Sequence, residues 1–215
     1  MRKGKDILTI EKDEIALSKR ALEIDTKNQA QMMREIIQDI KSTMRVTGLK
    51  HLSAPAVGHE RRIFCIDYED LEIKTYINPI IADAKGLTLS REIDPCIPDR
   101  TFLIPRNTEV TVLYQRPTGQ TETRQLLGMA AIVFQQELNH LDGVLLSDIG
   151  LEIDEDFDNA TEEEQQEIIG MYLDALDLKG KELDKVIQED PELKKLDDGI
   201  KFLEKVAKGE IEQHI

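Results

Sequence analysis

The spacing of apolar residues changes twice along this chain, and those changes restrict its fold more than any other feature. Residues 28–47 (NQAQMMREIIQDIKSTMRVT) carry Met32, Met33, Ile36, Ile37, Ile40 and Met44 at helical spacing, and Gly48 fits the stop of that amphipathic helix. Short strand-like runs follow: RRIFCIDY (61–68), IKTYINPII (73–81) and TEVTVLYQ (108–115). Asn78-Pro79 is expected to end pairing and bend the chain. RPTG (116–119) turns the third run into the polar TETRQ (121–125). Helical spacing returns from about Leu126 to Leu141, closed by Gly143. Strands in series, followed by a helix that must bury its apolar stripe on them, predict an α+β fold.

From Thr161 the pattern is helical to the end. Thr161 and Glu164 form a capping box ahead of Ile168, Ile169, Tyr172, Leu173 and Leu176. Gly180 marks a break or a C-cap. Asp190-Pro191 pairs an N-cap with a first-turn proline, and Leu193, Leu196, Ile200, Leu203 and Val206 line one face of a third segment. The expected division is a domain over residues 1–150 and an extension of two or three helices over residues 151–215, with LEIDEDFDNA (151–160) as the linker.

Charge follows the same division. The net charge is −15, and residues 151–215 hold 21 acidic and 8 basic side chains against 22 and 20 in residues 1–150. An acidic extension argues against phosphate contacts with nucleic acid or an anionic membrane; it suits a solvated helical face or a docking surface for a basic partner. Apolar residues make up 40% and aromatics 4%, with no tryptophan, so the core must be largely aliphatic. No apolar run reaches the length of a membrane span. MRKGKDILTI lacks the apolar centre of a secretory signal, and Cys65 and Cys96 are too few for a disulfide scaffold, so a reducing, cytoplasmic setting is expected.

The candidate chemistry lies in FQQELNHLDG (134–143). Glu137 and His140, three apart, share a helix face, and Gln136 lies one turn before His140. Two ligands four apart can grip one tetrahedral metal ion, with a glutamate beside the first as general base. With two histidines the run would read HExxH; here it reads Gln-Glu-Leu-Asn-His. Taken alone, the pair fits a surface-facing Glu and His better than a metal site.

Its surroundings carry more. QQELNHLDGVLLSD resembles the peptide deformylase helix, in which a glutamine precedes HExDH and the run continues as HLDGVL. LSAPAVG (52–58) resembles that family's GxGLAAPQ, DPCIP (94–98) its EGCLS, YINPII its INP strand, IPR (104–106) its VPR segment, and KDILTI its opening. The pieces occur in family order over residues 5 to about 148. The resemblance implies an antiparallel sheet wrapped around the motif helix. It also implies that a divalent iron or zinc ion, held by one cysteine and two histidines, activates water against the N-formyl group of a nascent chain's initiator methionine, with a backbone amide and a glutamine steadying the oxyanion.

Carried over residue by residue, Cys96 falls on the cysteine ligand, His140 on the second histidine ligand, Glu137 on the general acid/base and Gln135 on the glutamine before the motif. Gln136 replaces the first histidine ligand, Asn139 the aspartate, and Ala56 the oxyanion glutamine. Leu49, Lys50 and His51 replace the glycine-containing loop, and Pro95 and Pro98 the glycine and serine around the cysteine. A carboxamide oxygen is a poor donor to borderline-soft metals, and loss of one oxyanion donor costs roughly 10²–10³ in rate. The expectation is therefore a pseudoenzyme: no resident ion, catalysis lost or strongly impaired, and a role in binding the N-terminal peptide of a nascent chain or a protein partner. The alternative is a divergent deformylase with Fe²⁺ or Zn²⁺ on Cys96, His140, Gln136 and water, and Glu137 as base. His51 is a candidate substitute ligand, His59 and His214 are expected at the surface, and Cys65 is expected to be a small core residue.

Overall fold

A computed structural model describes residues 3–67 and 73–189, with side chains to residue 177. The chain divides into two compact units, Met1–Glu152 and Ile153–Ile215. The elements of the first, in order, are α1 (Ile10–Leu17), α2 (Ala30–Thr47), β1 (His51–Ser53), a 3-10 turn at Pro55–Val57, β2 (Ile63–Ile66), β3 (Lys74–Lys85), β4 (Thr88–Asp94), β5 (Ile97–Arg106), β6 (Glu109–Gln115), β7 (Thr121–Leu127), α3 (Met129–Asp142), α4 (Leu146–Ile149) and β8 (Leu151–Ile153), the strand on which the unit ends.

One sheet has the order β1-β2-β3-β6-β7 with antiparallel neighbours throughout; the other has the order β4-β5-β8. The β4–β5 hairpin fills the connection from β3 to β6. Period-2 alternation in β2 explains the layering. Ile63 and Cys65 face one way, into a cluster with Met33, Ile36, Ile40 and Met44 of α2. Phe64 and Ile66 face the other way, against Ala131, Val133, Phe134 and Leu141 of α3. All four β2 residues are buried because both faces of the strand are covered. The few aromatics concentrate beside α3: the Phe64 and Tyr76 rings lie 5.1 Å and 5.3 Å from that of Phe134, both edge-on to it.

The sheet and helices make an α+β fold, but several boundaries differ from expectation. The motif helix begins at Met129, not Leu126, because Leu126 is a buried β7 residue paired with Val110 and Gly128 turns the chain at φ 55°. Asn78-Pro79 bends β3 without ending it. Asn78 takes φ 48° at a bulge, and its side chain accepts from Ile24 N while donating to Ile24 O and Gln115 Oε1. The β4–β5 hairpin had no strand-like signature; Pro95, Pro98 and Pro105 break the apolar alternation there.

In the second unit, α5 (Glu155–Asn159) is capped by Asp154, whose side chain accepts from Asp156 N and Phe157 N. The expected linker 151–160 thus carries all of β8 and a short helix. Next, α6 (Glu162–Glu189) opens on the reciprocal Thr161–Glu164 box. It runs through Gly180, where a break was expected. Asp190-Pro191 and the third apolar segment lie outside the described residues. Among the described residues, no helix is long and apolar enough to cross a membrane.

Candidate metal centre

The centre is assembled by α3 and the β4–β5 turn. The apolar stripe of α3 packs on the sheet, and its opposite face presents Gln136, Glu137 and His140, all buried. Pro95 and Cys96 form the tight turn of the hairpin, with Asp94 paired to Ile97 across it. Asp94 Oδ1 accepts the Cys96 amide at 2.7 Å, an Asx-type turn that commits one carboxylate oxygen to the backbone. The other, Oδ2, lies 2.7 Å from His140 Nε2. The two form a buried ion pair, and His140 Nδ1, on the other side of the ring, is buried without a partner. Asp94, Cys96 and His140 each offer a ligand atom, and these atoms lie within 4.8 Å of one another.

Electrostatics bind the cluster together. Burial works against the charges of both His140 and Asp94, but each offsets the penalty for the other. His140 is pushed up to about 9 by Asp94, and the Asp94 carboxyl is held below its ordinary value by His140. Burial, and then the Asp94 and Glu137 charges, push the Cys96 thiol far up. A divalent cation would reverse that last effect, since a coordinating thiol is deprotonated outright.

Each described residue singled out in the sequence has a definite place. Glu137 sends Oε1 to His51 Nδ1 at 2.6 Å, and its Oε2 is buried without a hydrogen bond. His51 is therefore on the glutamate rather than among the three gathered donors. Burial would lower its pKa, but the Glu137 hydrogen bond and charge outweigh this and raise it. Gln136 Nε2 donates to Ile93 O at 3.0 Å. Gln135 exchanges hydrogen bonds with the Asn107 backbone and donates to Ala131 O, clamping α3 to the β5–β6 connection. Asn139 Oδ1 accepts from Arg106, whose guanidinium also makes a bidentate pair with Glu92, both 2.8 Å contacts. Ala56 is buried in the 3-10 turn and offers no side-chain donor. His59 is on Asp39 Oδ2 at 3.0 Å, half-buried rather than at the open surface. Cys65 is fully buried, and His214 lies outside the described residues. A cleft of about 530 Å³ lies over the cluster, walled by Leu49, His51, Ile93, Pro95, Ile97 and Pro98 among others.

Asp94 and the Glu92–Arg106 pair escaped the sequence reading. A carboxylate two residues before a ligand-type cysteine was the available signal for the first; nothing short of the hairpin register could reveal the second.

The buried donors fit a divalent ion. Two atoms bound to one such ion at ~2.0–2.2 Å each sit about 3–3.5 Å apart, so a small opening of the Asp94–His140 pair seats it. A helix that sets a glutamate and a histidine against a cysteine from a neighbouring hairpin, inside an antiparallel α+β unit, has the layout of a metallohydrolase. The family model described as polypeptide deformylase matches residues 5–153, and the chain belongs to that family. It is similar to the peptide deformylase of Dictyoglomus thermophilum, 33% identical over 135 residues that cover 63% of this chain and 84% of that protein. A peptide deformylase-like protein of Agrobacterium fabrum is 32% identical over 113 residues, 52% of this chain and 69% of that one. Among solved structures, the peptide deformylase of Thermotoga maritima superposes with a TM-score of 0.63 at 28% identity, covering 69% of this chain and 98% of that one. The Met-Ala-Ser-bound class I type b enzyme of Acinetobacter baumannii shares the fold, with a TM-score of 0.61 at 19% identity, over 69% of this chain and 99% of that one.

Proposed function

We propose that this chain is a working, slow deformylase: a metal-dependent hydrolase that removes a formyl group from the amino end of a peptide. The observation that carries the reading is the buried set of Asp94, Cys96 and His140, whose ligand atoms lie within 4.8 Å of one another beneath an open cleft, with a buried glutamate, Glu137, on the same helix face as His140. A fold that needed only to be stable has no use for a thiol, a carboxylate and an imidazole gathered in its interior. The relatives named as deformylases support the same reading over a pseudoenzyme.

Cys96 and His140 would hold a divalent iron or zinc ion, which supplies Lewis acidity to a water and to the formyl oxygen. Glu137 Oε2 takes the water's proton and returns it to the leaving amine, while His51 holds Oε1 and so fixes the carboxylate's orientation. The apolar cleft walls take the first side chain of the peptide. Ala56 contributes no oxyanion donor, which slows the reaction by roughly 10²–10³ relative to a site that has one. The setting that suits this substrate is cytoplasmic, at the emerging nascent chain.

A second reading, binding of such a peptide without turnover, is favoured by Ala56 and by the engagement of Gln136 with Ile93 O. Formate release from a formyl-methionyl peptide, measured on protein purified without air, separates the two. Slow release that a chelator abolishes is the expected result. No release above buffer from a fully metal-loaded chain would leave only the binding role.

A further inference from the structure

We infer that Asp94 is a protein ligand of the metal ion, standing in for the imidazole that position 136 does not supply. The inference deepens the metallohydrolase reading and rests on it for the kind of ion. Three observations converge. Asp94 is divided in its work: Oδ1 is held by the Cys96 amide, and Oδ2 is set against His140 Nε2 at 2.7 Å, on a side chain with no exposure at all. Without an ion, the charge of that carboxylate is met by the His140 ring; a divalent ion seated between the two would take over that role, with the imidazole neutral. Next, the Gln136 carboxamide is engaged elsewhere, donating to Ile93 O. Ile93 directly precedes Asp94, so this hydrogen bond ties α3 to the end of β4 and fixes the residue that presents the carboxylate. The helix position has become a tether, and the strand end has become the donor. Lastly, the carboxylate, Cys96 and His140 offer three atoms within 4.8 Å of one another, a set of oxygen, sulfur and nitrogen donors suited to zinc or ferrous iron.

The charge of the set follows. Two anionic ligands and one neutral imidazole cancel a divalent ion, where a thiolate with two imidazoles leaves one positive charge. An ion in the neutral set draws less strongly on its bound water, which agrees with a slow enzyme.

The test uses the full chain loaded with Co²⁺, read by metal content per chain and by the visible spectrum, in which sulfur-to-cobalt charge transfer reports Cys96. Asp94→Asn is expected to weaken Co²⁺ binding by at least ~10-fold, the lower end of what even indirect metal-site changes do. Adding Gln136→His to Asp94→Ala is expected to restore binding. Asp94→Cys is expected to bring a second thiolate to the ion and about double the charge-transfer absorbance, an outcome that does not depend on whether Asp94→Asn folds well. Unchanged Co²⁺ affinity in Asp94→Asn, or an unchanged spectrum in Asp94→Cys, overturns the inference and leaves the hydrolase reading intact. An Asp94-dependent ion without formate release removes the hydrolase reading and leaves the ligand in place. A wild-type chain that takes no ion overturns both.

Discussion

At the scale of single residues, the buried charges separate two kinds of role. Arg106 and Glu92 are each nearly fully buried and joined by two hydrogen bonds, and Arg106 also orients Asn139, next to His140. Arg106→Met leaves Glu92 as an unpaired buried carboxylate, so a loss of about 3–5 kcal/mol of stability is expected in urea denaturation. In the proposed mechanism Glu137 would act on the reaction rather than the fold. Glu137→Gln is expected to lower formate release by ~10²–10⁴ while the metal content stays at the wild-type level, and equal loss of both would assign Glu137 to the structure instead. Cys65 gives a pH dependence with a definite sign. Burial pushes its thiol up to about 11 from an ordinary 9.0. The unfolded chain ionises first, so this contribution to stability is complete below about pH 9 and is lost as pH rises through about 11. Across that window the wild type should lose ~3 kcal/mol more than Cys65→Ala, as followed by denaturation midpoints.

Among the elements, α3 is the one on which the site depends, and its C-terminal end is the most constrained. Gly143 ends it in the left-handed region at φ 71°, and a Cβ there would stand 2.5 Å from the carbonyl oxygen of Ser18. The end of α1 is packed against that turn, and Ala21 N and Arg62 both donate to Leu141 O. Gly143→Ala therefore meets both a strained backbone and a backbone clash. An expected loss of ~2 kcal/mol or more, together with a shift in the Co²⁺ spectrum as His140 moves, distinguishes it from a remote destabilisation. The helix itself was legible because Phe134, Leu138 and Leu141 recur at helical spacing. Its start was not, because Leu126 and Leu127 continue the apolar pattern while pairing as strand with Val110 and Glu109.

For the molecule as a whole, the family match over residues 5–153 and the compact unit Met1–Glu152 cover nearly the same stretch. Residues 1–153 alone are expected to fold cooperatively and bind Co²⁺ with the wild-type stoichiometry; failure to do so would make the acidic extension part of the site's support. The sequence by itself determined the α+β class, because periodicity is a property of neighbours along the chain, and its resemblance to the family's local motifs pointed to Cys96, Glu137 and His140 as candidates. Only the tertiary structure decided what Asp94, His51 and Gln136 do. The carboxylate comes from the end of β4, His51 lies 86 positions from the glutamate it holds, and the Gln136 amide meets a carbonyl 43 positions away. Such contacts are set by hairpin register and by packing between layers, which no spacing along one segment encodes.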